Sequence, residues 1–335
     1  MEEDRLVKII TEGAQIYLNK QLKLLEQFAA IDCGTGDEGG NKKIVSLLIK
    51  ELEQIGANCQ TIYVPGVGTH VVARIKPEYP KGKVIINAHL DTVFHPGDVK
   101  QHPFRIKDDC AWGLGVADCK GGVATSIYAV RIMKDAGMLP NKELVMIYNC
   151  DEETGSQSAR EIFEQEAKDA ECAFVFEPAR NKNGIITKRR GQAFVTIQVD
   201  GIEAHAALEP QRGASATLEL AYVIWKLHRM GDNAKKMLYN IGRMGGAETS
   251  LVVAGHAWCE AAVSLEGPET LKQIQEDMQN LKKNVEIPGC RISTKLKVLF
   301  PAQRRNCGNV RLYELVKKAG EQMEIELPEE ESAGP

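Results

Sequence analysis

Apolar residues recur at helical spacing from about Asp4 to Phe28, where Leu6, Ile9, Ile10, Ala14, Tyr17, Leu18, Leu22, Leu25 and Phe28 form one stripe. The turn Asp32–Asp37, rich in glycine and aspartate, ends that helix. A second helix is predicted over Asn41–Ile55 and stops at Gly56. Runs of β-branched and aliphatic residues then predict strands at Val71–Ile75, Lys83–Ala88, Glu143–Asn149 and Cys172–Phe176. Helices fall between them, over Gly121–Ala136 and over the more polar Gln157–Ala167. This alternation predicts an α/β architecture: a mixed, mostly parallel sheet with helices on both faces.

Around Ala179–Lys188 the pattern changes. Strand Ala193–Asp200, helix Ala214–Met230, strands Leu238–Gly242 and Trp258–Leu265, helix Glu269–Asn284 and strand Arg291–Val298 follow in turn. That β-α-β-β-α-β order predicts a ferredoxin-like α+β domain. A helix over Asn309–Gln322 then restores the earlier rhythm, and the acidic Glu329–Glu331 stretch reads as a solvated turn. The expected organisation is a first domain over residues 1–180, an inserted lid over 181–300, and an incomplete return to the first domain over 301–335.

Composition narrows the classes. A chain of 335 residues exceeds what one core organises, so two domains are expected. Its 43% hydrophobic and 26% charged residues and formal charge of −4 give no electrostatic reason to expect nucleic acid or an anionic membrane. No apolar run approaches the roughly 18 residues of a membrane span or forms a signal peptide. Nine scattered cysteines, an odd number, read as the reduced thiols of a cytoplasmic protein.

Four polar clusters follow predicted strands or the loop beside them: His89 and Asp91; Asp118; Asp151, Glu152 and Glu153; and Glu177. Each alone has an ordinary reading, as a strand-end histidine, an acidic helix start or a turn. Together they fall where open α/β sheets gather ligands, beyond the carboxyl ends of strands. One imidazole with carboxylates suits zinc, and also manganese or cobalt. Two divalent ions about 3.5–4 Å apart need a bridging carboxylate, and a further carboxylate off the metal must carry the proton of the attacking water. Glu152 and Glu153, being adjacent, can supply a base and a ligand. Asp91, two residues beyond His89, can fix the imidazole tautomer.

These segments carry a resemblance. NAHLDTV from Asn87, GLGVADCKGG from Gly113, DEETGS from Asp151 and FEP from Phe176 together resemble the two-zinc metallopeptidase family of glutamate carboxypeptidase, aminoacylase, acetylornithine deacetylase and succinyl-diaminopimelate desuccinylase. GIEAHAALEPQRGAS, from Gly201 to Ser215, is similar to that family's entry into its lid, most of all in the glutamate carboxypeptidase branch. The resemblance implies two divalent ions, with His89 and Glu177 on one, Glu153 on the other and Asp118 between them. It implies Glu152 as general base and acid, Asp91 orienting His89, and His205 of the lid polarising the scissile carbonyl, often in the neighbouring subunit. The implied substrate is a small peptide or N-acyl amino acid, and the implied assembly a homodimer through the lid.

The sequence also departs from the family. The resemblance implies a histidine ligand near the C-terminus, and no histidine follows His256. The expectation is therefore a truncated copy with impaired activity. The alternative is a relic that binds metal without catalysis. Cys119, beside Asp118, offers a thiolate ligand in principle, though Lys120 and the family pattern argue for a packed thiol. The implied arginine for a substrate carboxylate has no counterpart near Ser264–Glu266, leaving Arg212 and Arg243 as substitutes. His70, His95, His102 and His228 read as structural or solvated.

Overall fold

The computed structural model describes residues 2–179, 183–231 and 237–332. The chain divides into two compact units, Met1–Asn183 with Lys318–Glu326, and Gly184–Lys317 with Leu327–Pro335. The boundary expected at residue 181 lies outside the described residues.

The first unit opens with helices α1 (Glu2–Ala29) and α2 (Glu38–Gln54). The Asp37 side chain caps α2 by accepting from the Gly40 N–H at 3.0 Å, which satisfies one of the first-turn donors. Strands β1 (Asn58–Val64), β2 (Gly68–Ile75) and β3 (Lys83–His89) follow. Next come short helix α3 (Asp98–Gln101), a hairpin of β4 (Arg105–Lys107) and β5 (Cys110–Trp112), and helix α4 (Gly121–Asp135). Strand β6 (Glu143–Asn149), helix α5 (Arg160–Ala167) and strand β7 (Cys172–Val175) complete the unit's sheet, in the order β1-β2-β6-β3-β7.

β1–β2 and β2–β6 are antiparallel, whereas β3 runs parallel to both β6 and β7. Successive side chains of a strand point to opposite faces, and β6 uses both. Leu144, Met146 and Tyr148 join one core with Phe28, Ile44, Leu48, Leu52, Val123 and Ile127 from the helices. Val145 and Ile147 join a second, with Ile162 and Phe163 of α5. Helices therefore cover both faces, as a buried parallel sheet requires. The stripe on α1 is only partly used: Leu25 and Phe28 are buried, but Ile10 and Leu18 are exposed.

The second unit contains β8 (Ile185–Arg189), β9 (Gly191–Asp200), β10 (Ala204–His205), α6 (Ala216–Met230), β11 (Tyr239–Gly245), β12 (Val252–Val253), β13 (His256–Leu265), α7 (Pro268–Lys283) and β14 (Arg291–Phe300). Helix α8 (Cys307–Gln322) and strand β15 (Glu329–Ser332) end the described chain. An antiparallel sheet ordered β11-β13-β9-β14 gives the ferredoxin-like βαββαβ arrangement. Val195, Ile197 and Val199 of β9 alternate inward beneath Leu220 and Val223 of α6 and Ile274 and Met278 of α7.

One expectation is corrected. Glu329–Glu331 is not a solvated turn but part of β15, which pairs in parallel with β8. Charges from distant positions hold it: Lys188 Nζ lies 2.7 Å from Glu331, and Arg305 Nε donates to Glu329 at 2.7 Å. Among the described residues, no helix is long and apolar enough to cross a membrane.

Leu48 sits wholly buried in the core of the first unit. Leu48→Ala is expected to lower the unfolding free energy by about 2–5 kcal/mol, through lost burial and the cavity left behind. Urea unfolding followed by circular dichroism checks this, and an unmoved midpoint contradicts it.

Candidate metal centre

Because β3, β6 and β7 are parallel neighbours, their carboxyl ends share one edge of the sheet. His89 is the last residue of β3 and pairs in register with Asn149, the last of β6. Asp151, Glu152 and Glu153 follow β6 in a short 3-10 turn that Gly155 closes at φ +95°, a conformation glycine adopts without strain. Phe176 and Glu177 follow β7. Asp118 lies in the turn before α4, at a cis peptide with Cys119. A Cβ at Gly122 would stand 1.9 Å from the Phe176 carbonyl oxygen, so a glycine is needed for this turn to approach Glu177.

His89, only 1% exposed, is the focus. Its Nε2 is 2.8 Å from Asp118 Oδ1 and 3.6 Å from Glu177 Oε1. Its Nδ1 is 2.9 Å from the Asp91 carbonyl oxygen and 3.3 Å from Asp91 Oδ1. One donor atom from each of His89, Asp118 and Glu153 lies within 4.8 Å of the others, and the same holds for His89, Cys119 and Glu177. In the neutral ring, Nδ1–H donates to Asp91 and Nε2 keeps its lone pair toward the carboxylates.

Asp91 does more than orient the imidazole. Its buried carboxylate accepts the main-chain N–H of Glu152 at 3.1 Å and of Glu153 at 3.2 Å, and the hydroxyl of Thr35 at 2.6 Å. One side chain thus ties β3 to the turn after β6 and to the turn before α2. In the sequence the Thr35 segment shows only the signal of a helix stop. Lys120, also buried, donates from Nζ to the Ile31 carbonyl at 2.8 Å and fastens the Asp118 turn to the end of α1.

The electrostatics are those of a site with surplus acid. Burial, then the charge of Asp118, pushes the Glu153 carboxyl up from 4.5 to about 7, although His89 opposes the rise. Burial alone would lower the His89 pKa, but hydrogen bonds to Asp118, Asp91 and Glu177 outweigh it and hold the ring strongly basic. An imidazole this basic beside a carboxyl this reluctant to ionise is an arrangement that could hold a cation in place of protons. One nitrogen and several carboxylate oxygens form a donor set that fits zinc, manganese or cobalt. Cys119 instead keeps its proton: burial raises its thiol to about 12, and Sγ donates to the Phe176 carbonyl at 3.0 Å.

His205 belongs to the second unit and is exposed on β10. Its Nδ1 accepts from the N–H groups of Ala207 and Leu208, both at 3.2 Å, which leaves the neutral ring's proton on Nε2. Arg212 pairs with Glu209 at 2.8 Å, and Arg243 lies over the Trp258 ring and 3.5 Å from Glu260. His95, His102 and His228 are exposed, whereas His70 is wholly buried.

Comparison with known proteins bears on this geometry. A sequence model of peptidase family M20/M25/M40 matches residues 85–334. Carboxypeptidase G2 of Pseudomonas sp. (strain RS-16) is 27% identical over 270 residues, which is 80% of this chain. The match spans 65% of that enzyme, less than two thirds of its length. The crystal structure of aminopeptidase PepT from Bacillus cereus superposes with a TM-score of 0.76 at 22% identity, covering 95% of this chain and 85% of that one. The YXEP protein of Bacillus subtilis, described as a dinuclear metal binding peptidase, superposes with a TM-score of 0.68 at 12% identity, covering 96% and 84%.

A pH dependence follows from Glu153. Its carboxyl binds a proton more tightly folded than unfolded, so in metal-free protein its contribution to stability is full below pH 4.5 and is lost as pH rises through about 7. Melting temperatures of the metal-free chain across that range are expected to fall, and Glu153→Gln to flatten the fall. An equally steep fall in the variant would rule out this role for Glu153.

Proposed function

The chain belongs to peptidase family M20/M25/M40, and from that premise we propose that it hydrolyses the amide bond of a small peptide or N-acyl amino acid with two divalent ions. The observation that carries this reading is the buried His89 ringed by Asp118, Glu153 and Glu177 at one sheet edge. His89 and Glu177 would hold one ion, Glu153 the other, and Asp118 both. When bound, the ions, zinc before manganese or cobalt, supply Lewis acidity that lowers the pKa of water to about 7 and polarises a carbonyl.

The chain's own side chains do the rest. Asp91 holds the His89 ring by Nδ1 and fixes the main-chain N–H groups of Glu152 and Glu153, of which Glu153 brings a carboxylate oxygen within 4.8 Å of the imidazole. Glu152 takes the proton of the attacking water on a carboxylate oxygen and returns it to the leaving nitrogen. His205 donates from Nε2–H to the carbonyl oxygen of the substrate, in a homodimer formed through the second unit. All nine cysteines are free, which supports a reducing compartment, the cytoplasm.

A second reading is a protein that binds metal without catalysis. It is favoured by the fact that the candidate ligand groups among the described residues share one histidine, His89.

Glu152→Gln separates the two. For the enzyme, the zinc-loaded variant is expected to lose hydrolysis of dipeptides and N-acyl amino acids by about 10²–10⁴-fold. Its zinc content by elemental analysis should stay unchanged. Hydrolysis that survives the substitution contradicts Glu152 as the base, and absence of hydrolysis from the unaltered, zinc-loaded chain favours the second reading.

A further inference from the structure

Behind the turn that carries Glu152 and Glu153 runs a polar chain, buried at His70 and Asp151 and half-buried at Ser158, that the mechanism above does not use. It starts at His70 on β2, which is wholly buried. Nδ1 of this ring accepts the main-chain N–H of Cys150 at 3.2 Å. The proton of the neutral ring must then sit on Nε2, which donates to Ser158 Oγ at 3.0 Å. Having accepted there, the Ser158 hydroxyl gives its own hydrogen to Asp151 Oδ2 at 2.7 Å, and the Ser158 N–H reaches the same oxygen at 2.8 Å. Asn149 Nδ2 donates to Asp151 Oδ1 at 3.3 Å, and the Asp151 carbonyl accepts the Ser156 N–H at 2.8 Å.

The result is a loop closed at its neck. Cys150 and Ser158, at its two ends, are fastened to opposite edges of one imidazole. Glu152 and Glu153 lie between them, their N–H groups fixed to Asp91.

We propose that His70 is a positioning residue for the metal centre: as its Nε2–H tautomer it ties the end of β6 to Ser158 and so fixes the loop that presents Glu152 and Glu153. The proposal rests on the metal-dependent reading above and adds a residue to it.

An imidazole suits this joint because it offers an acceptor and a donor on one rigid ring. Protonation would set Nδ1–H against the Cys150 N–H, two donors face to face, and the joint would open. Burial lowers the His70 pKa, while the charges of Asp151 and Asp91 raise it in part. The Cys150 thiol, 3.4 Å from Nδ1, is itself pushed up by burial. β1 opposes His70 with Ile62, and α2 reaches the adjacent Thr69 through Asn41.

The test uses the full chain with His70→Leu, His70→Gln, Ser158→Ala and the double variant of His70→Leu with Ser158→Ala. Two quantities are measured: amide hydrogen exchange across residues 150–158 without metal, and affinity for zinc by titration. His70→Leu is expected to speed exchange at Glu152 and Glu153 and to weaken zinc binding by about 10–100-fold, as the loss of a group supporting a metal ligand does. His70→Gln, which reaches Ser158 through its amide, should recover part of the loss. Ser158→Ala should match His70→Leu, and the double variant should lose no more than either. Unchanged exchange and affinity in a folded His70→Leu chain, or losses that add fully, overturn the proposal. If His70→Leu does not fold, Ser158→Ala, a smaller change at the same joint, decides by the same two readouts. If the unaltered chain takes up no zinc, the metal-dependent reading falls with the affinity arm, and the exchange data alone still decide whether His70 fixes the loop.

Discussion

Four carboxylates crowd one buried imidazole, and most of what surrounds the site offsets their repulsion. Two unit charges about 4 Å apart interact by about 4 kcal/mol at an effective dielectric near 20, so Asp91, Asp118, Glu153 and Glu177 cannot converge uncompensated. Asp91 is answered by donors: two main-chain N–H groups, a threonine hydroxyl and the imidazole. Asp118 and Glu177 meet at Nε2 of His89, and Glu153 lies within 4.8 Å of the ring; there the metal-free protein answers with protons, held by a strongly basic ring and by Glu153 with its pKa near 7. A cation that displaces those protons resolves the same conflict, and its chemistry follows from that substitution.

The sheet makes the convergence possible. Parallel pairing of β3 with β6 and β7 sets three carboxyl ends side by side, although His89 and Glu177 are far apart in sequence. Each end then needs a device to turn its side chain inward. β6 uses the turn closed by Gly155 and braced by Asp91, and the Asp118 turn uses the close approach that Gly122 permits. Rigidity comes from behind, where His70, Ser158 and Asp151 form a polar chain with each donor matched to an acceptor. Such fully satisfied buried networks specify one arrangement rather than several.

Much of this was legible in the sequence because the signals were local. Helix and strand periods placed α4, β6, β9 and β13 to within a few residues, and the βαββαβ order named the ferredoxin-like unit. The residues now found around His89 stood out because each follows a strand end or its adjoining loop. What escaped depended on partners distant in sequence. β1 is an edge strand with an irregular pattern of exposure, so its period is weak. β15 opens with three glutamates and becomes a strand only beside β8, more than a hundred residues earlier. Thr35 and His70 carried no motif, and their importance lies in what they touch: Asp91 in one case, Cys150 and Ser158 in the other.

The central claim is that His89, Asp118, Glu153 and Glu177 are gathered for a cation. Anomalous diffraction at the zinc absorption edge, from crystals of the full chain grown with zinc, tests it most directly. The account predicts a peak within bonding distance of His89 Nε2, shared with carboxylate oxygens from Asp118 and Glu177. Density at His89 without an anomalous peak, with zinc found only at surface residues, would contradict it.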